Sequence, residues 1–231
     1  MDVQYRDKKL TPEERVKTIE EIDKLISQYA ASIPIYHEEK MKSKEGNVPI
    51  KPLASLLETI YSSGEFTIMV IADCAVAQKF FLSATNDYDK RFARGKLKVI
   101  LNEGFKKVYG FTTTRKKAKR EPTIWEQISE SYHLFPDSLK AKHDEIQASL
   151  EQYSKDAWWV HDRNIETHLD IDELHKSRQE EIIEGKVIME SMELINILLR
   201  IHDFITQLHG AYCETLRQGY IQQYTTTRSV H

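Results

Sequence analysis

The residues of this chain best suited to chemistry stand together in WWVHDRNIETHLD, residues 158 to 170. Arg163 supplies a guanidinium that can clamp an oxyanion through paired hydrogen bonds. His168 supplies an imidazole that titrates near neutral pH. Asn164 follows the arginine directly, and Asp162, Glu166 and Asp170 surround the pair. Such a set fits three kinds of chemistry: a metal site, a surface ion-pair network, or an acid–base pair working on a charged substrate.

The metal reading is tested by spacing. His161, His168 and His175 recur every seven residues. On a helix that spacing sets them about 10 Å apart along the axis. Zinc holds nitrogen ligands at about 2.0–2.1 Å, so one ion cannot collect all three. His168 with Asp170 and Asp172 has the donor types for a weak divalent site in a loop. The chain has no dense motif of the His-Glu-x-x-His kind. No dedicated metal and no cofactor are expected. In the structural reading, Arg163 pairs with Asp162, Glu166 or Asp170 on a helix surface. Such pairs contribute little to stability.

The catalytic reading rests on Arg163-Asn164-Ile165-Glu166-Thr167-His168, which has the form Arg-polar-x-x-x-His. This resembles the signature of the HEPN superfamily (higher eukaryotes and prokaryotes nucleotide-binding). There an arginine and a histidine stand four to six residues apart, often with Asn, Asp or His after the arginine. The resemblance implies an all-α bundle with the motif near a helix junction, ahead of a further core helix. It also implies a metal-independent endoribonuclease acting as a homodimer through the motif region. The RNA 2′-OH would attack the adjacent phosphate, leaving a 2′,3′-cyclic phosphate and a 5′-OH. His168 would act as general acid or base. Arg163 would bind the phosphoryl oxygens as charge builds, and Asn164 would orient one of these groups. A toxin or defence setting, with an antitoxin or other regulator as partner, goes with this reading. The alternative is a non-catalytic helical module of the same kind that binds nucleic acid, nucleotide or a partner protein. Five residues on a regular helix set Arg163 and His168 about 140° apart. Either the segment bends or two protomers complete each site.

The elements that must position the motif read as helices. The chain has 231 residues, 40% hydrophobic, with only 8 Gly and 6 Pro, too few for a turn-rich sandwich or barrel. Thr11-Pro12-Glu13-Glu14 predicts a helix start with a capping box, after a loose tail over residues 1 to 10. That helix stops near Pro34, and residues 35 to 51 hold a short helix and a connector. Pro52 opens the next helix, which Gly64 ends. FTIMVIADCAV, from Phe66, could be a buried strand, but the apolar pattern continues through Phe80 and Phe81 and favours a buried helix. Asp87 to Tyr109 is a helix weakened by Gly95 and Gly104. Residues 111 to 122 form a loop. Thr123 caps a helix carrying Trp125, Ile128 and Tyr132, and Pro136 restarts the chain. The longest periodic segment runs from about Leu174 to Leu216, and its apolar stripe needs covering partners. His202 and His209 are polar edges of that stripe. Residues 11 to 220 are taken as one HEPN-like domain, and residues 221 to 231 as a frayed tail.

The net charge of −3 conceals a strong asymmetry. Between Lys90 and Arg120 stand twelve basic residues and one acid, Glu103, so this segment is +11 and the remainder −14. Charge so segregated points to a polyanion-facing surface. Lys90, Arg94 and Lys98 on one helix face, with Arg115, Lys116, Lys117, Lys119 and Arg120 on the loop, are the candidate RNA contacts. Trp158 and Trp159 read as a core anchor and an interface residue. Cys74 and Cys213 fall in apolar-periodic segments and read as buried free thiols. The polar start MDVQYRDKKL has no apolar core of a signal peptide, and no apolar run approaches about 20 residues. A cytoplasmic protein without membrane contact is the expectation.

Overall fold

The computed structural model describes residues 9–45, 51–110, 121–156 and 182–228. These form an all-α bundle with no strand among them. The helices are α1 (Pro12–Ala30), α2 (Ile33–Glu45), α3 (Lys51–Ser83), α4 (Asp87–Val108), α5 (Ile124–Ser129), α6 (Asp137–Asp156) and α7 (Glu184–Arg228). A short 3-10 turn, Tyr132–Leu134, lies between α5 and α6.

Helix starts follow local chemistry. The Thr11 hydroxyl accepts from the Glu14 amide while the Glu14 carboxylate accepts from the Thr11 amide, and Thr123 and Glu126 repeat the arrangement. Pro34 lacks an amide proton and clashes with a preceding helical turn, so α1 stops at Ala30 and α2 restarts with the proline in its first turn. The Lys79–Asp23 pair (2.6 Å) and the His37–Glu65 pair (3.1 Å) set one antiparallel register. Hence α1 and α2 run end to end along α3.

Gly64 does not end a helix. α3 passes through it to Ser83, so FTIMVIADCAV is helical. A Cβ on Gly64 would overlap the Tyr36 ring of α2. The glycine is a seat for that ring, which repays a helix cost of only about 1 kcal/mol. Gly104 works alike on α4, where an added Cβ would stand 2.6 Å from Val70 Cγ1.

α3 is the central element and touches α1, α2, α4, α5 and α7. Ile60, Ile68, Ile71 and Phe81 on it are all 0% exposed, each contributing about 1.5–3 kcal/mol by burial. By length and composition Leu56–Ser83 is apolar enough to cross a membrane, with 61% of its best window buried inside the protein. The apolar pattern thus runs further than the short runs read from the sequence.

α7 lies antiparallel to α3, through Gln78–Ser191 (2.5 Å) and Tyr61–His209 (2.9 Å). It lies antiparallel to α6 through Arg200–Glu145 (2.9 Å) and Lys142–Asp203 (2.5 Å). It continues through Arg228, past the point at which a frayed tail was expected. Two further expectations change. Leu10 is 4% exposed and tied to α7 rather than loose. Cys213 is exposed, and only Cys74 is the buried thiol that the apolar spacing indicated.

Candidate functional site

Arg163, Asn164 and His168 lie outside the described residues, as do Trp158, Trp159, His161, His175 and the basic cluster Arg115, Lys116, Lys117, Lys119 and Arg120. The residues flanking the motif segment are described. The chain enters it after Asp156, the last residue of α6, and leaves it before Ile182, two residues ahead of α7.

The α7 start is a charged node. Glu184 is 4% exposed. Its carboxylate meets Lys90 Nζ at 2.8 Å and Arg15 Nη2 at 2.7 Å, and accepts from Arg15 Nε at 3.1 Å and the Leu10 amide at 3.3 Å. Burial would raise the Glu184 carboxyl, but Lys90, Arg15 and the Leu10 amide together hold it below its ordinary value. One side chain thus ties Leu10, α1, α4 and α7 together at one end of the bundle.

Lys90, Arg94 and Lys98 do share a side of α4, as every-fourth spacing requires. That side does not face open solvent. The Lys90 side chain is 16% exposed and bound to Glu184. Lys98 is 6% exposed, and Arg94 Nε is buried without a hydrogen bond. Asn102 continues the stripe one turn further and is 0% exposed, with neither amide atom bonded.

The α4–α6 seam shows what this stripe approaches. Phe105 meets Tyr153 edge-on at 4.9 Å, and Gln147 Nε2 donates to Tyr109 Oη at 3.1 Å. Lys98 lies seven residues before Phe105, nearly two full turns, and therefore on the same side of α4. In this antiparallel register α6 reaches Asp156 before it reaches the level of Lys98. Arg94 and Lys98 thus line the flank of α4 just past the last turn of α6. Among the described residues the cations of this stretch do not form one patch: Lys90 and Lys107 lie about 26 Å apart along α4.

Two polar arrangements escaped the sequence reading. His143 is 7% exposed and stacks on Trp125, with ring centroids 4.7 Å apart and planes at 12°. Its Nε2 is 2.9 Å from Ser129 Oγ and its Nδ1 is 3.1 Å from Asp144 Oδ1. The order Ser-His-Asp is that of a nucleophilic relay. Here, however, the Ser129 hydroxyl donates to the Trp125 carbonyl at 2.7 Å, and Tyr132, Phe135 and Phe204 enclose the ring. The arrangement packs α5 on α6 and α7. The sequence signal was the phase of His143, between Leu139 and Ile146 in the apolar stripe of α6. The second arrangement joins α7 to its neighbours: Tyr36 Oη to His202 Nε2 at 3.0 Å, and Tyr61 Oη to His209 Nε2 at 2.9 Å. The stripe-edge histidines are thus interhelical hydrogen-bond partners.

Among the described residues no group of three or more His, Cys, Asp or Glu side chains could hold a metal ion. Compared with known proteins, the chain matches no family model, no curated protein and no solved structure.

Proposed function

We propose that this chain is a metal-independent endoribonuclease of HEPN type, with Arg163, Asn164 and His168 as its reacting set. The observation that carries the reading is the motif RNIETH itself, with asparagine after the arginine, in the link between α6 and the long helix α7 of an all-α chain. The flank of α4 past the end of α6, with Arg94, supports it by adding positive charge near the point where the motif segment begins. His168 moves the proton between the 2′-OH, the phosphate and the 5′ leaving oxygen. Arg163 stabilises the phosphoryl oxygens, with bonds that strengthen as negative charge develops. Two protomers meeting through the motif region would bring an arginine of one to a histidine of the other.

One observation favours a second reading, a non-catalytic helical module that binds nucleic acid, nucleotide or a partner protein. Lys90 is bound to Glu184 and Lys98 is buried, so these two cations serve the fold. Incubation with total RNA in excess EDTA separates the readings. The wild type should leave 2′,3′-cyclic phosphate ends, and Arg163→Ala and His168→Ala should each lose activity by about 10²–10⁴-fold. Equal cleavage by all three proteins, or by none, sinks the catalytic reading.

A further inference from the structure

At the end of the bundle where α6 stops and α7 begins, several buried polar atoms have no hydrogen-bond partner among the described residues. They are Gln78 Oε1, Arg94 Nε, both amide atoms of Asn102, and Ser154 Oγ. Around α5 the buried polar groups are served by the protein itself. Trp125 Nε1 donates to Gln147 at 2.7 Å, His143 meets Ser129 and Asp144, and Tyr212 Oη donates to the Leu134 carbonyl at 3.1 Å.

Asn102 and Ser154 face each other across the α4–α6 seam. Tyr109 on α4 and Gln147 on α6 meet there at 3.1 Å. Asn102 stands seven residues before Tyr109, and Ser154 seven residues after Gln147. Seven residues are nearly two full turns, so each keeps its side of its helix and, in an antiparallel pair, the same level. Phe105 and Tyr153, 4.9 Å apart, fill the step between. Tyr109 and Gln147 are long enough to meet directly. Asn102 and Ser154 are shorter by several bonds, and no hydrogen bond joins them. One bridging water spans about 5–6 Å, as two bonds of about 2.8 Å. Asn102 is 0% exposed and Ser154 8%. The amide offers a donor and an acceptor and the hydroxyl offers both, which meets the need of an internal water for two to four partners.

A second pair has the same character. α3 and α4 are joined by only Ala84, Thr85 and Asn86 and run antiparallel. Phe80 and Phe92 meet edge-on across them, with centroids 6.5 Å apart. Gln78 and Arg94 lie two residues from these rings, level with each other and about 200° around, on the inner side. Gln78 Nε2 donates to Ser191, so its Oε1 stands as an acceptor opposite the Arg94 Nε donor.

We infer that this end of the core holds ordered water. One molecule bridges the Asn102 amide to the Ser154 hydroxyl, and another joins Gln78 Oε1 to Arg94 Nε. Left bare, each such group would cost about five- to hundredfold in folded population, and native cores keep few of them. The atoms have no opening to the surface, which suits water entering through local fluctuation and excludes a larger ligand. Ser154 stands two residues before the end of α6, where the chain leaves for the motif segment. The last turn of α6 is therefore held to α4 by exchangeable water as well as by packing. The site does not depend on the ribonuclease reading.

Nuclear Overhauser measurements on the full chain test it. The Asn102 side-chain amide protons should show a cross-peak to a long-lived water, weakened in Ser154→Ala. Urea unfolding of Asn102→Leu, Ser154→Ala and the double variant gives a second readout. A shared water couples the two positions, so the double variant should lose at least about threefold less folded population than the product of the single losses. A wild type without the cross-peak overturns the inference, as does a cross-peak that Ser154→Ala leaves unchanged, or losses that simply multiply. Ser154→Ala removes one atom from a helix and should stay folded by circular dichroism. Should Asn102→Leu fail to fold, the cross-peak in the wild type and in Ser154→Ala decides alone.

Discussion

Glu184 shows how much can hang on one side chain. Glu184→Gln removes the charge that Lys90 and Arg15 share. These cations retain 16% and 33% exposure, so the loss should be on the order of 2 kcal/mol, below the ~3–5 of a fully buried pair. Thermal unfolding at pH 7 measures it. The pH dependence follows from the lowered carboxyl. Stability from ionised Glu184 is complete above its ordinary value of 4.5 and is lost as pH falls through the depressed folded value. Glu184→Gln should therefore flatten the acid limb of the stability profile. His202 acts in a higher window. Burial lowers its imidazole below 6.5, against the upward pull of Asp203. A neutral ring accepts the Tyr36 hydroxyl proton, so its contribution is complete above pH 6.5 and fades as pH falls below that. His202→Gln should remove that part of the slope in melting curves taken at successive pH values. At this scale the sequence was uneven. Thr11 and Thr123 announced their caps because capping is local chemistry. Glu184 gave no signal, since its partners lie up to 174 residues away.

At the scale of elements, two glycines make opposite predictions. Gly64→Ala should gain about 1 kcal/mol of helix propensity but force Tyr36 from its seat, at an overpacking cost of about 1–3 kcal/mol. The net effect should be destabilising. It should also loosen the Tyr36–His202 bond, visible as faster amide exchange in α2. Gly210 has nothing within 4 Å of an added Cβ, so Gly210→Ala should stabilise α7 by about 0.5–1 kcal/mol. Denaturant melts of the two variants should shift in opposite directions. Gly64 misled the sequence reading because propensity is a local quantity, while the ring it admits comes from another helix. Helical periodicity served better. Pro52, Asp87, Thr123 and Pro136 mark the starts of α3 to α6 to within a residue. The cationic stripe of α4 was legible as a stripe, but its inward direction depended on partners distant in the chain, such as Glu184 on Lys90.

At the scale of the whole molecule, the two thiols report on the core. Cys74 is 0% exposed, and burial pushes its thiol far up, whereas Cys213 is exposed. A thiol reagent should modify one cysteine in the native state and the second only with global unfolding, giving a labelling rate that tracks stability. The all-α class followed from composition and period, which sum over many residues. The side of α3 that keeps Met69, Val76 and Phe80 in solvent was not legible, because only the neighbouring helices decide which side of an apolar helix remains open. The node at Glu184 also sets a timetable. Lys90 precedes its partner by 94 residues, roughly 5–20 s of synthesis at the usual pace of a ribosome. During that interval α3 and α4 exist without α7, and the apolar side that α7 will cover is open to solvent or to a chaperone. The bundle can close only when its last long helix emerges, so a ribosome stalled before residue 184 would hold out its most adhesive helix uncovered.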